Sequence, residues 1–182
     1  MKPLDETELL PRLLDTKTRE RAFAQLVDLF KERLYWQIRR MALNHDDTDD
    51  ILQNTFIKAW TGLDSFRGEA RLSTWLYRIA TNETLNHLER NKKTTLLLDK
   101  TENGAALQQE SDPYFDGDET QRLLHEAIDN LPAKQRQVFT LKYFDEMKYE
   151  EMSDVLDTSV GALKASYHHA VKKITEFFRR RD

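Results

Sequence analysis

The sequence predicts an all-α fold: two small helical domains joined by a flexible acidic linker. Three observations carry the prediction. Apolar residues recur at helical spacing through most of the chain. Gly 5 and Pro 4 are too few for a turn-rich β architecture. The periodicity lapses over residues 94–119, and acidic residues gather in that stretch.

Residues 1–19 read as an N-terminal extension. "MKPLDETELLPRLLD" carries carboxylates and a proline where a signal peptide would have an apolar core, so a cytoplasmic protein is expected. The first domain spans 20–93. Its first helix shows Phe23, Leu26, Phe30, Leu34, Ile38 and Met41 at helical intervals, with Thr18 placed to cap it. "NHDDTDD" breaks the pattern with acids that suit a helix N-terminus. In the next helix Ile51, Leu52, Phe56, Ala59, Trp60 and Leu63 make an apolar face. "LDSFRGEARLS" is a loop, and a third helix starts near Ser73, bearing Trp75, Leu76, Ile79, Ala80 and Leu85.

The second domain spans 120–182. Leu123, Leu124, Ala127, Ile128 and Leu131 mark one helix, and Pro132 opens the next at a first turn, where its missing N–H costs little. "KYEEMSDVL" gives a short helix, "DTS" a tight turn, and "SVGALKASYHHAVKKI" a closing helix. Two helices joined by so short a turn are a helix-turn-helix. Tyr149, Met152, Val155 and Leu156 are expected to pack inward, with Val160, Leu163, Tyr167, Ala170, Val171 and Ile174 as the stripe beneath the last helix. Subtracting that stripe leaves Gly161, Ala162, Lys164, Ala165, His168 and His169 facing outward. Small residues there permit close approach to a major groove, and Lys and His can donate hydrogen bonds. Lys142 and Lys148 lie near enough to hold phosphates. Taken alone, an ordinary amphipathic helix with a solvated basic face explains this stretch as well.

Charge excludes less than the total suggests. Seven acids stand against Lys100 alone in residues 99–120, so without that stretch the net charge moves from -4 to +2. With Cys 0 there is neither a disulfide framework nor a thiolate metal site. His168 and His169 are adjacent and point about 100° apart on a helix, so they do not chelate together. No metal or other cofactor is expected. The chain lacks a Gly-rich phosphate loop, an HExxH pattern and a nucleophile motif, so no enzyme and no small-molecule substrate is expected. No apolar run approaches the ~18 residues of a membrane span.

"FRGEARLSTWLYRIATNETLNHLERNKK" interleaves aromatics, cations and amides. Phe66, Trp75 and Tyr77 offer stacking faces, Arg67, Arg71 and Arg78 offer charge, and Asn82 and Asn86 share one helix face. A single nucleic-acid strand calls for this mixture, since bases stack on aromatics and the backbone follows cations. The same aromatics at helical spacing also suit a core. In "DDILQNTFIKAW" the apolar face leaves Asp49, Asp50, Gln53, Asn54 and Ile57 available as a docking surface for a basic partner helix.

Together with "LPAKQRQVFTLKYF" and "KYEEMSDVLDTSVGALKASYHHAVKKI", these motifs resemble, in order and over most of the chain, the bacterial RNA polymerase sigma factors of the extracytoplasmic-function (ECF) type. The resemblance implies that 20–93 corresponds to sigma region 2 and 120–182 to region 4. It implies that Asp50, Gln53, Asn54 and Ile57 dock the clamp helices of the polymerase's largest subunit, although the usual motif has an acid where this chain has Asn54. It places −10 melting and base capture on Lys58, Phe66, Arg67, Gly68, Arg71, Trp75, Arg78, Asn82 and Asn86. It places −35 binding on Lys142, Lys148, Tyr149, Ser159, Gly161, Lys164, Ala165, His168 and His169, with Ser166 and His169 where many relatives carry arginines. The implied partners are core RNA polymerase (clamp helices and flap), promoter DNA and, for many members, an anti-sigma factor. A stand-alone helix-turn-helix regulator accounts for the C-terminal half only.

Overall fold

A computed structural model gives the structure of residues 6–42, 44–98 and 119–181, without side chains for 95–98. The acidic linker expected at 94–119 therefore lies largely outside the described residues. The order is α1 (Glu6–Leu14), α2 (Arg19–Ala42), α3 (His45–Gly62), a 3-10 turn (Leu63–Ser65), α4 (Leu72–Leu98), α5 (Glu119–Asp129), α6 (Ala133–Tyr143), α7 (Tyr149–Leu156) and α8 (Val160–Arg179).

The predicted first helix is α2, and its buried residues Ala22, Leu26, Phe30, Leu34, Ile38 and Met41 fall at intervals of three and four, as one helical face requires. Thr18 stands at its start, yet the hydroxyl donates to the Arg12 carbonyl at 2.8 Å and does not accept from the first turn. Asn44 caps α3 instead of any acid: its Oδ1 accepts from the Asp47 N–H at 2.7 Å. The third predicted helix, α4, runs to Leu98, five residues beyond the point where periodicity fades.

The N-terminal extension holds a helix that the sequence reading did not foresee. Leu9 and Leu13 of α1 are fully buried in the main core, beside residues of α2 and α4. Glu6 reaches α4, where its Oε2 accepts from the Ser73 N–H at 3.2 Å and from the Ser73 hydroxyl at 3.0 Å. A carboxylate from one helix thus satisfies an orphan donor at the start of another, where the macrodipole also favours negative charge.

Two clusters of buried side chains organise the molecule. The larger centres on α1–α4, with Phe30, Leu34, Ile38, Ile51, Leu63 and Leu76 at its heart, and continues into Val138 and Leu141 of α6, Met152 and Val155 of α7, and Leu163 of α8. The smaller holds Ala127, Ile128, Leu131, Phe139, Ala170 and Ile174 of α5, α6 and α8. The two helical halves therefore touch through apolar side chains, an arrangement the sequence left open.

Some core expectations need correction. Val171, assigned to the stripe under α8, is 39% exposed, because Ala170 and Ile174 fill the smaller core and turn it outward. Trp60 is 39% exposed and packs edge-on to Phe23 with centroids 5.0 Å apart, so it roofs the core more than it fills it. Tyr77, one of the proposed stacking faces, is buried beneath α4, and burial pushes its hydroxyl up to about 12.

Candidate nucleic-acid interface

The helix-turn-helix consists of α7, the turn Asp157–Ser159 and α8. Asp157 adopts a left-handed conformation with φ 49° that ends α7 abruptly. Two residues on, the Ser159 side chain accepts from the Ala162 N–H at 3.3 Å and starts α8. Met152, Val155, Leu163 and Ala170 are buried, which sets the rotation of α8. That rotation leaves Gly161, Lys164, Ala165, His168 and His169 exposed along one side. Gly161 has nothing within 4 Å of where a Cβ would stand, so this end of the helix faces open space.

Tyr149 is half-buried at the head of α7. Its ring lies between two cations, with Lys142 Nζ at 5.0 Å and Lys164 Nζ at 5.7 Å from the centroid. It therefore positions the lysines more than it offers a free face. Lys142 Nζ also donates to the Met147 carbonyl at 3.1 Å, while Lys148 is exposed at the start of α7.

In the first half, the loop between the 3-10 turn and α4 brings its residues to a second surface. Gly68, at φ 74°, lets the loop reverse, and a Cβ there would meet Leu10 at 3.2 Å. Phe66 and Trp75 stack on each other with centroids 4.6 Å apart and planes 28° apart. Arg67, Arg71 and Arg78 are exposed. Beside the stack, Trp75, Ile79, Asn82 and Asn86 of α4 face Lys58 and Gly62 of α3 across an open groove of ≈ 580 Å³, in the range that accommodates small organic groups. Gly62 permits the close approach of Trp75, whose ring would stand 3.1 Å from an added Cβ. Glu83 enters the groove and pairs with the Lys58 ammonium, a partner that the motif reading overlooked although Glu83 lies three positions before Asn86, on the same side of α4. Arg71 is likewise engaged, at 3.8 Å from Glu6 and 3.5 Å from Glu151.

The third surface lies on α3. Asp50, Gln53, Asn54 and Ile57 are all exposed along one side, and Ile57 is 54% exposed, an apolar group among polar ones. The opposite side is held down by Ile51, Thr55 and Ala59, and Thr55 turns its hydroxyl back to the Ile51 carbonyl at 2.8 Å. Among the described residues no group of ≥ 3 His, Cys, Asp or Glu side chains is placed to hold a metal ion, and no helix is long and apolar enough to cross a membrane.

Fold and surface define a two-part, all-α helix-turn-helix protein of the DNA-binding class. The family profile for sigma-70 region 2 matches residues 26–94, and that for sigma-70 region 4 matches residues 121–174. Over 157 residues the chain is 37% identical to the ECF RNA polymerase sigma factor SigW of Bacillus subtilis (strain 168), covering 81% of this chain and 83% of that protein. It is 30% identical over 164 residues to the ECF RNA polymerase sigma-E factor of Escherichia coli (strain K12), covering 85% of each. Two solved structures share the fold, each with TM-score 0.71 and 23% identity. One is the sigma factor RpoE of Bartonella quintana in complex with the anti-sigma factor NepR, covering 86% of this chain and 96% of that one. The other is CnrH in complex with the cytosolic domain of CnrY, covering 97% and 99%. The chain belongs to the ECF RNA polymerase sigma factors of the sigma-70 family. It is thus a factor that directs promoter-specific initiation by RNA polymerase.

Proposed function

We propose a division of that activity among the three surfaces, working by binding alone and without catalysis by this chain. The α3 face at Asp50, Gln53, Asn54 and Ile57 docks a helical segment of core polymerase, with Ile57 as the apolar anchor and the polar groups setting register. The exposed side of α8 enters the major groove at −35. Lys164, His168 and His169 donate to base edges, Ala165 and Gly161 permit close approach, and Lys148 with the α8 N-terminus holds phosphates. The loop at Phe66–Leu72 and the adjoining groove capture the −10 strand.

Capture is favourable without nucleotide hydrolysis. Unstacking a base costs a few kcal/mol, and stacking it on an aromatic ring returns about 1–3 kcal/mol per base. Asn82 and Asn86 supply hydrogen bonds at the groove wall, while Arg67, Arg71 and Arg78 follow the phosphates. The observation that carries this reading is the pairing of an aromatic stack, Phe66 on Trp75, with a polar groove directly beside it. A cytoplasmic location follows from work on the polymerase. By analogy with the two solved relatives bound to inhibitors, an anti-sigma protein is a partner of this chain as well.

Transcription with purified core polymerase tests the reading. Promoter-specific initiation appears only when the chain is added, and Asn82→Ala reduces permanganate reactivity in the −10 region while leaving initial promoter binding in place. Tight, specific promoter binding without polymerase would instead favour a stand-alone regulator, and unchanged −10 reactivity would remove Asn82 from strand capture.

A further inference from the structure

Three contacts tie α1 and nearby Arg19 to the segment from Asp64 to Ser73, which holds the loop assigned to the −10 strand. At the start of the segment, Arg19 Nη1 donates to Asp64 Oδ1 at 2.7 Å, while Arg19 Nε donates to the Leu13 carbonyl at 3.0 Å. At its middle, the Leu10 side chain lies against Gly68, where a Cβ would stand 3.2 Å from it. At its end, Glu6 Oε2 accepts from the Ser73 N–H and hydroxyl, and Glu6 Oε1 lies 3.8 Å from Arg71 Nη2.

Leu13 (through Arg19), Leu10 and Glu6 meet Asp64, Gly68 and Ser73 in reverse order, so helix and loop run antiparallel. Glu6, Leu10 and Leu13 are spaced by four and then three positions, which places them on one side of α1. Leu9 and Leu13 are fully buried, and they fix the rotation of that side. The Leu13 carbonyl belongs to the last turn of α1, where carbonyls lack a partner within the helix. Arg19 satisfies it and holds Asp64 with the same guanidinium, whose rigid fork of donors suits the bridging of two oxygens. The Arg19 side chain is 19% exposed and that of Asp64 79%, so Arg19 is the fixed member of the pair and Asp64 the one that is held.

The loop has little else to shape it. From Asp64 to Arg71 no side chain is buried, and beyond the stack of Phe66 on Trp75 its own residues supply no core. A loop held in its binding shape beforehand loses less conformational freedom when the ligand arrives. It also offers a base one geometry to fit, which separates the right base from the wrong one.

We propose that α1 is a template for the capture loop, and that Arg19 is a positioning residue for −10 selectivity that acts through Asp64. The proposal rests on the assignment of this loop to the −10 strand. Attraction for strands at large is carried by the charges of Arg67, Arg71 and Arg78 and is independent of sequence. The template therefore acts on preference among −10 sequences and much less on affinity for a mixed pool.

Because the chain has Cys 0, a single nitroxide can be attached to the full chain through Glu69→Cys in the loop or Lys172→Cys on α8, both exposed positions. Arg19→Gln and Asp64→Asn each raise the mobility of the loop label and leave the α8 label unchanged. In the holoenzyme with core polymerase, each also lowers −10 sequence preference by about tenfold, a typical coupling between linked sites. Preference is read on fork DNA with a randomised single-stranded −10 segment and a duplex −35 element from a promoter that the holoenzyme transcribes. The double variant matches the singles, since both remove one interaction. Asp64→Asn alters an exposed side chain and carries the test if Arg19→Gln loses helical signal. A loop label that stays immobile, a lowered preference without loosening, or singles whose effects add would each overturn the template. If the loop loosens while −10 preference is unchanged, the loop assignment fails and the hold of α1 on the loop stands.

Discussion

The two halves present their candidate DNA surfaces in opposite states. In the helix-turn-helix half the proposed reading side of α8 is exposed and rests on buried packing residues: Leu163 and Ala170 point down, and Lys164, His168 and His169 point out. In the first half two of the cations are already occupied. Lys58 is paired with Glu83, Arg71 with Glu6 and Glu151, and Phe66 lies face to face with Trp75. A duplex is a rigid object met by a preformed surface, so little has to move. On the proposed assignment a melted strand must be captured, and the groups proposed to capture it exchange internal partners for the strand. That exchange lowers the net gain per contact and gives the chain a means of discriminating against nucleic acid that has not melted.

Core truncations give the largest expected effects and probe the comparison most directly. Leu34 is fully buried in the larger cluster, while Ile174 is 8% exposed in the smaller. Both changes to alanine fall in the range of about 2–5 kcal/mol, with Leu34→Ala towards the upper end and Ile174→Ala towards the lower. Denaturant unfolding checks this, and an Ile174→Ala cost equal to that of Leu34→Ala would erase the difference between the halves. Next comes Lys164→Ala, expected to cost about 1–3 kcal/mol of −35 discrimination with polymerase affinity unchanged. Competition binding on matched and mismatched −35 duplexes measures it, and an equal loss of polymerase affinity would show that the faces are not separate.

Smaller again is Glu6→Gln, which weakens a charged cap on α4. We expect a loss of about 0.5–2 kcal/mol in thermal unfolding, together with stronger single-strand binding as Arg71 loses one of its two carboxylates. The smallest net effect is on acidification, because two groups at the junction oppose each other. Burial pushes the Asp145 carboxyl up to about 6, against the pull of Arg40 and Arg33 and with Tyr77 nearby. Its contribution is present below the ordinary carboxylate range and is lost as pH rises through about 6. Burial holds His125 below its ordinary value, aided by Arg40 and Arg39, so its contribution is present at neutral pH and is lost as pH falls through the ordinary imidazole range. Between pH 7.5 and 5.5, Asp145→Asn makes the chain lose stability on acidification and His125→Gln makes it gain. Parallel pH profiles for the two variants would refute the opposition.

Much of the fold was legible because long amphipathic helices announce themselves. The stripe from Leu26 to Met41 specifies α2 whatever surrounds it, and the Pro132 and Ser159 boundaries follow from local backbone chemistry. The α1 helix was not legible: nine residues with an internal Pro11 are too few to be stable alone, and only the pocket receiving Leu9 and Leu13 makes them helical. Trp60 and Val171 show the same boundary from the other direction. Spacing places a residue on an apolar face but does not set how far round that face the neighbouring helix reaches.

The order of motifs, the helix-turn-helix and the outward set on α8 were determined by the sequence alone, since each depends on residues within about one helix length of one another. Whether Tyr77 stacks with a ligand or fills a core, which carboxylate occupies Lys58, and how Arg40 comes to lie on Phe144 beside Asp145 were decided only by tertiary structure. Those contacts join groups 25 to 105 residues apart. No periodicity links such distant positions, because a charge finds its partner through the packing of whole helices and not through its neighbours along the chain.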